Sequence, residues 1–310
     1  MRSYKALLND AVNAFGLRKL TALETEALKK CLLDMYDQIK QICDDNNLCL
    51  MLIGGSCLGA VRHKGFIPWD DDLDLVMPRP DYEKFVALLE KGVMGEFYEY
   101  VYPNSYKDSP ILWLQIYHKN TRLISVEGER PKYPNGCYID VFPIDGVPAN
   151  NLKRRAKGYL ANCLRLIANM VVDFEQPMTS SLKAFYASNK DLQRMMFVRR
   201  GLGRIFGIIS HKTWVNLYDR FVRNPNMSGW VGIPTGRGLY YKESHPASVF
   251  FPPTEGEFEG RKVLLPANCD AYLKALYGDY MWIPPKEKRE SHFIKELELP
   301  EKFYIKDVDR

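Results

Sequence analysis

The 310-residue chain carries 46% hydrophobic and 26% charged residues and a net charge of +5, an ordinary balance that excludes collagen-like, low-complexity and disordered classes. No run approaches the ~20 apolar residues that span a bilayer, and residues 1–20 lack the uninterrupted apolar core and cleavage site of a signal peptide. The seven cysteines are scattered, odd in number and without a C-x-x-C pair, which argues against a zinc ribbon or disulfide framework and predicts a reducing, cytoplasmic setting.

Leu28, Leu32, Met35, Ile39 and Ile42 recur at three- and four-residue intervals, predicting a helix over 21–44. Asn46-Asn47 breaks it, and the all-apolar run 48–53 then reads as a buried strand. That run stops at Gly54-Gly55-Ser56, and a helix is expected from Cys57 to Arg62. Strand, glycine turn, helix is a setting in which backbone N–H groups can face a phosphate. Asp72-Leu73-Asp74-Leu75-Val76 alternates acidic and apolar residues, as in a strand with unlike faces. A helix through Glu90 after Pro80, strands at 98–102, 112–117, 123–126 and 138–142, and a turn at Asp145 are expected next.

Residues 152–223 have helical spacing in pieces, interrupted near Gln176-Pro177 and between Gly201 and Gly203. They hold 14 Lys and Arg against 4 Asp and Glu, a local balance of +10 that leaves −5 for the remainder. Such a segment suits a polyanion or an anionic membrane, and equally a solvated basic face. The closing part is rich in Pro, Gly and aromatics, with one short helix at 268–277 capped by Asn268 and stopped by Gly278.

The acidic strand carries the chemistry. Residues i and i+2 share a face with Cα atoms ~6.6 Å apart, so Asp72 and Asp74 can converge on one hard cation such as Mg²⁺, with Mn²⁺ an alternative. Without a cation the two would repel and one would tend to keep its proton. Asp140, alone in the apolar strand 138–142, is the natural third ligand, with a salt-bridged core aspartate as the competing reading. Three carboxylates beside a phosphate-facing turn suit displacement at phosphorus. Neither G-x-x-x-x-G-K-[ST] nor H-E-x-x-H occurs, which sets aside a P-loop kinase and a zinc hydrolase.

The block GGSCLGAVRHKGFIPWDDDLD (54–74), with YIDVFPID (138–145), YGDYM (277–281), Pro284-Pro285, Arg289 and His292, closely resembles the LicD family. That family comprises bacterial choline-phosphate transferases related to fukutin-type proteins and the DNA polymerase β-like nucleotidyltransferase fold. The resemblance touches residues from about 50 to 292 and is loose over 152–223. It implies an α+β fold: a nucleotidyltransferase-like mixed sheet flanked by helices, with a basic helical segment and a loop-rich C-terminal part. The expected division is N-terminal helices 1–46, catalytic core 47–150, basic helices 151–226, and a segment 227–310 completing the active site.

By resemblance, the activity is transfer of phosphocholine from CDP-choline to a sugar hydroxyl of a teichoic acid or lipopolysaccharide precursor, releasing CMP. Carried over by position, Gly54, Gly55 and Ser56 hold donor phosphate, Asp72 and Asp74 bind the metal, and Asp140 completes the site as base. Arg62, His63, Lys64, Arg289 and His292 are substrate-binding candidates that also fit exposed basic charges. A choline group needs aromatic faces, and Trp113, Tyr138, Trp230, Tyr240, Tyr241 and Trp282 are candidates. The acceptor is expected to be a lipid-linked glycan reached from the cytoplasm, with peripheral contact at the inner face of an anionic membrane and no nucleic-acid partner. The alternatives are a ribitol-, glycerol- or sugar-phosphate cargo, a nucleotidyltransferase, or an inactive polyanion- or glycan-binding protein.

Overall fold

The computed structural model describes residues 17–105, 110–125, 134–286, 289 and 293–305. Helix α1 (Ala22–Asp45) opens with a capping box between Thr21 and Glu24, and its stripe of Leu28, Leu32, Met35 and Ile39 is buried. Strand β1 (Met51–Leu52) leads directly into α2 (Gly54–His63). Next come β2 (Asp74–Pro78) and α3 (Arg79–Glu90), where Pro80 occupies the first turn, which needs no N–H from it. Strands β3 (Tyr98–Val101), β4 (Leu114–His118), β5 (Arg122–Ser125) and β6 (Tyr138–Val147) follow.

The basic segment forms four helices, α4 (Asn151–Glu175), α5 (Ser180–Ala187), α6 (Lys190–Phe206) and α7 (His211–Val222). The chain closes with β7 (Trp230–Gly232), α8 (Leu239–Lys242), β8 (Ser244–Pro246), the hairpin β9 (Thr254–Phe258) and β10 (Arg261–Leu265), α9 (Cys269–Tyr277) and β11 (Ile294–Glu298).

Among the described residues a nine-stranded mixed sheet runs β3-β4-β6-β2-β1-β10-β9, with β7 pairing the far end of β6 and carrying β8. The β2/β6 and β1/β10 pairs are parallel and the others antiparallel. The core packs α1 and α2 residues against the inner faces of β1, β2 and β6, with Met51, Leu75, Val76, Ile139 and Val141 buried. The expected α+β architecture is therefore present, with no described helix long and apolar enough to cross a membrane.

Several local expectations change. The sheet does not stop at residue 142, because the C-terminal part adds β10 beside β1 and the β9 hairpin beyond it. Strand β5 leaves this sheet and pairs with β11, while Val126 lies outside the described residues. The expected turn at Asp145 is instead the buried interior of ten-residue β6, where Arg79 neutralises the carboxylate through bonds of 2.6 and 2.8 Å. Arg79 also reaches Asp219 of α7 at 3.1 Å. Gly201 and Gly203 do not interrupt α6. Gly203 faces α4 so closely that an added Cβ would stand 2.0 Å from the Met170 carbonyl oxygen, so its small size serves helix packing.

Candidate active site

Strand register brings the acids together. Parallel pairing of β2 and β6 sets Asp74 beside Asp140, and antiparallel pairing of β4 sets Gln115 beside Asp140 on the other side. Asp140 Oδ1 accepts the Trp113 indole N–H at 2.6 Å and the Gln115 amide N–H at 2.7 Å. Burial pushes the Asp140 carboxyl up to about 7, with those two donors working against it and Asp72 with it. Asp74 is raised well above the usual carboxylate range, first by burial and then by Asp72, Asp140 and Asp70, while Arg237 opposes the shift. Asp72 precedes β2 rather than sitting within it, yet Leu73 and Leu75 point into the core as the alternation predicts.

The glycine turn is shaped around these acids. Helix α2 begins at Gly54, three residues earlier than expected, and its cap residue Ile53 supplies no side-chain acceptor. Gly54 has φ +56°, and a side chain there would meet Asp74 Oδ2 at 3.1 Å; at Gly55 it would meet Asp70 Oδ2 at 2.7 Å. Hydrogen at both Cα positions lets the carboxylates approach a helix N-terminus whose N–H groups favour anions. The Gly54 N–H donates to the Tyr272 hydroxyl at 3.2 Å. Ser56 is buried, and its hydroxyl accepts the Asp74 N–H at 2.9 Å, tying helix to acidic strand.

A cleft of about 370 Å³ opens between this turn and the C-terminal part, lined by Gly54, Gly55, Arg62, Asp70, Asp72 and Asp74 on one side. Arg237, Glu243, Tyr272, Tyr277, Tyr280 and Trp282 line the other side. Asp140, beside Asp74 on the neighbouring strand, is not among the lining residues. Arg237 and Glu243 were not foreseen. Buried Glu243 accepts the Gly238 N–H at 2.8 Å, and Gly236 is so close that a Cβ would lie 2.7 Å from the carboxylate. Its other oxygen is buried with no hydrogen-bond partner among the described residues, and burial pushes the carboxyl up to about 7. A Gly-Arg-Gly loop thus wraps a buried acid and presents Arg237, whose guanidinium lies 5.8 Å from the Tyr277 ring centre. The local signal was the sequence Gly236-Arg237-Gly238, which on its own is a common turn composition.

The remaining candidates divide. Arg62 lines the cleft but donates to the carbonyls of Tyr280 at 2.6 Å and Trp282 at 3.3 Å, so it fastens the C-terminal loop over α2. His63 packs edge-on to Trp69, and burial, then Arg62 and Lys29, lower its pKa. Lys64 is exposed and ends α2 in a left-handed conformation. Arg289 stacks 4.2 Å from the centre of the Trp69 ring and donates to Pro284 O at 3.1 Å. His292 lies outside the described residues. Of the six aromatic candidates, Trp282 alone lines the cleft. Trp113 acts on Asp140, Tyr138 stacks with Tyr117, and Trp230, Tyr240 and Tyr241 pack against α4.

Among the described residues no three His, Cys, Asp or Glu side chains stand close enough to hold one cation as they are. Ligation by Asp72, Asp74 and Asp140 therefore requires side-chain rotation toward a shared point. The donor set fits a hard divalent ion, being all carboxylate, and the carboxylates that raise one another at Asp74 are the arrangement a cation relieves.

Residues 47–156 match the LicD/FKTN/FKRP nucleotidyltransferase domain family, so the resemblance seen in the 54–74 block holds over the acidic strands and the glycine turn. The lipopolysaccharide cholinephosphotransferase LicD of Haemophilus influenzae is 26% identical over 295 residues, covering 90% of this chain and 98% of that protein. An uncharacterized protein of Rickettsia prowazekii is 29% identical over 146 residues, 46% of this chain and 52% of its own length.

Proposed function

We propose that this LicD-family chain is a phosphotransferase that moves phosphocholine from CDP-choline to a sugar hydroxyl of a lipopolysaccharide or teichoic acid precursor. The supporting observation is the pairing of Asp74, which lines the cleft beside a helix N-terminus and together with Arg237, with Asp140 on the neighbouring strand. The Haemophilus relative, matched over nearly its whole length, favours choline phosphate as cargo.

In this reading the first-turn N–H groups of α2 and the Arg237 guanidinium bind the donor diphosphate. When bound, Mg²⁺ or Mn²⁺ would be held by Asp72, Asp74 and Asp140 and would offset the negative charge that builds on the phosphate oxygens. The acceptor oxygen forms a bond to the choline-side phosphorus, the bond from that phosphorus to CMP breaks, and CMP leaves. Asp140, raised to about 7, is the proposed acceptor of the hydroxyl proton. Trp113 and Gln115 fix its orientation. Tyr277, Tyr280 and Trp282 are the ring faces available to a quaternary ammonium in the cleft. The seven cysteines are all free, in keeping with a reducing cytoplasm as the place of reaction.

The test is a donor panel of CDP-choline, CDP-ribitol, CDP-glycerol and CTP with Mg²⁺, read by mass spectrometry. CMP release with a gain of about 165 Da, one phosphocholine unit, on a sugar acceptor is the expected result. Turnover of CDP-ribitol or CDP-glycerol instead would replace the cargo, and pyrophosphate release from CTP would replace the reaction with nucleotidyl transfer.

A further inference from the structure

Helix α6 turns bulky apolar side chains toward solvent. Leu192, Met196 and Gly203 are its buried positions. Away from them, Arg194, Phe197, Gly201 and Ile205 recur at three- and four-residue intervals and are exposed, with Val198 exposed beside them; Phe197 is 79% and Ile205 63% exposed. Ile208, in the turn that follows, is 91% exposed. A helix whose only partner is its own core carries polar residues on that side. Neighbouring α4 repeats the pattern, leaving Leu152, Tyr159 and Leu166 exposed at seven-residue spacing. Bulky apolar exposure repeated on two helices that pack together points to an interaction surface rather than scattered surface leucines.

Cations share the surface. Lys190, Arg194 and Arg204 of α6 are exposed beside the apolar residues, within a segment holding 14 Lys and Arg against 4 Asp and Glu. We propose that the solvent-facing sides of α4 and α6 dock on an anionic phospholipid bilayer. Phe197, Ile205 and Ile208 enter the headgroup–acyl boundary, and Lys190, Arg194 and Arg204 meet the lipid phosphates. No described helix is long and apolar enough to cross a bilayer, so the docking is peripheral. A second copy of the chain fits less well, because a two-fold contact would press this basic face onto itself. A soluble polyanion would use the cations and leave the apolar side chains in water.

The surface adjoins the cleft. Arg165 of α4 donates to the carbonyls of Thr235 and Gly236 at 3.4 Å each, at the root of the loop that carries Arg237. Docking would therefore hold the cleft close to the bilayer, whatever group the cleft transfers, and the inference stands or falls apart from the choice of donor.

The test uses the full chain in co-sedimentation with vesicles of phosphatidylcholine alone or mixed with phosphatidylglycerol. Binding to the mixed vesicles, weakening as salt is raised, is expected. The double variant Phe197→Asp/Ile205→Asp should bind about tenfold more weakly or worse, and Arg194→Gln or Arg204→Gln about fivefold more weakly each. Circular dichroism of every variant should match the parent, since none of these side chains packs in the core. Absence of binding by the parent chain, or binding that the double variant leaves intact, overturns the proposal. So does light scattering that finds a dimer which the double variant separates while neither form binds vesicles, since the face would then be a self-interface.

Discussion

In the cleft, Asp74 lies beside Asp140 on paired strands, with Asp72 and Asp70 near enough to push its carboxyl far above the usual range. On α6, Arg194 and Arg204 stand among exposed apolar side chains with no such geometry imposed on them. The first arrangement concentrates carboxyl groups at positions set by sheet register, the geometry that the proposed divalent cation would need. The second spreads charge over a surface, where density matters more than position and a broad partner suffices. One chain thus holds a site that depends on geometry next to one that depends on composition.

Three experiments break or sharpen that contrast. The largest effect is expected at the acids: Asp74→Asn should lower transfer about a thousandfold or more, and Arg237→Ala about a hundredfold, with the fold retained in both. Activity surviving Asp74→Asn would remove the geometric half of the comparison.

The next concerns Glu243, whose folded pKa of about 7 lies above its ordinary value near 4.5. The folded chain keeps this proton between those values while the unfolded chain loses it, so stability falls as pH rises through that window. The loss is on the order of 3 kcal/mol, complete above about pH 7. Glu243→Gln keeps an acceptor for the Gly238 N–H and should flatten this dependence in urea midpoints at pH 5 and pH 8. An equal decline in parent and variant would mean the acid is not held protonated.

The smallest effect separates the two sides of α6. Gly203→Ala, forced toward the Met170 carbonyl, should cost about 1–3 kcal/mol in urea unfolding. Phe197→Asp should stay within about 0.5 kcal/mol. A large loss from Phe197→Asp would reveal that its face is already covered.

The acidic cluster and the glycine turn were legible because both depend on neighbours in sequence: i and i+2 on a strand, and glycine ahead of a helix. Even there the strand began two residues late and the helix three residues early, since pairing with β1 and β6 decides where regular structure starts. Asp145 was misread because Pro-Ile-Asp-Gly has turn composition, and the cation that permits its burial, Arg79, lies 66 residues away. Glu243 and Arg237 were missed because Gly236-Arg237-Gly238 is a common turn composition, and only the pairing of β7 with β8 brings the loop between them to the cleft. Conversely, the excess of Lys and Arg in 152–223 was plain, but helical spacing alone does not tell which apolar residues face the core, and only their exposure shows the side they occupy.

Arg79 has a consequence for how the molecule is put together. It is buried in α3, and its two acidic partners come from β6 of the sheet and α7 of the helical segment. Lifting the helices away would leave Arg79 paired with Asp145 but strip Asp219 from it, and losing that charge-assisted hydrogen bond costs about 1.5–3 kcal/mol. The junction near residue 150 is therefore a poor place to cut or to graft. Sheet and helices should melt in one calorimetric transition, and evolution at this seam is constrained to change three residues in concert.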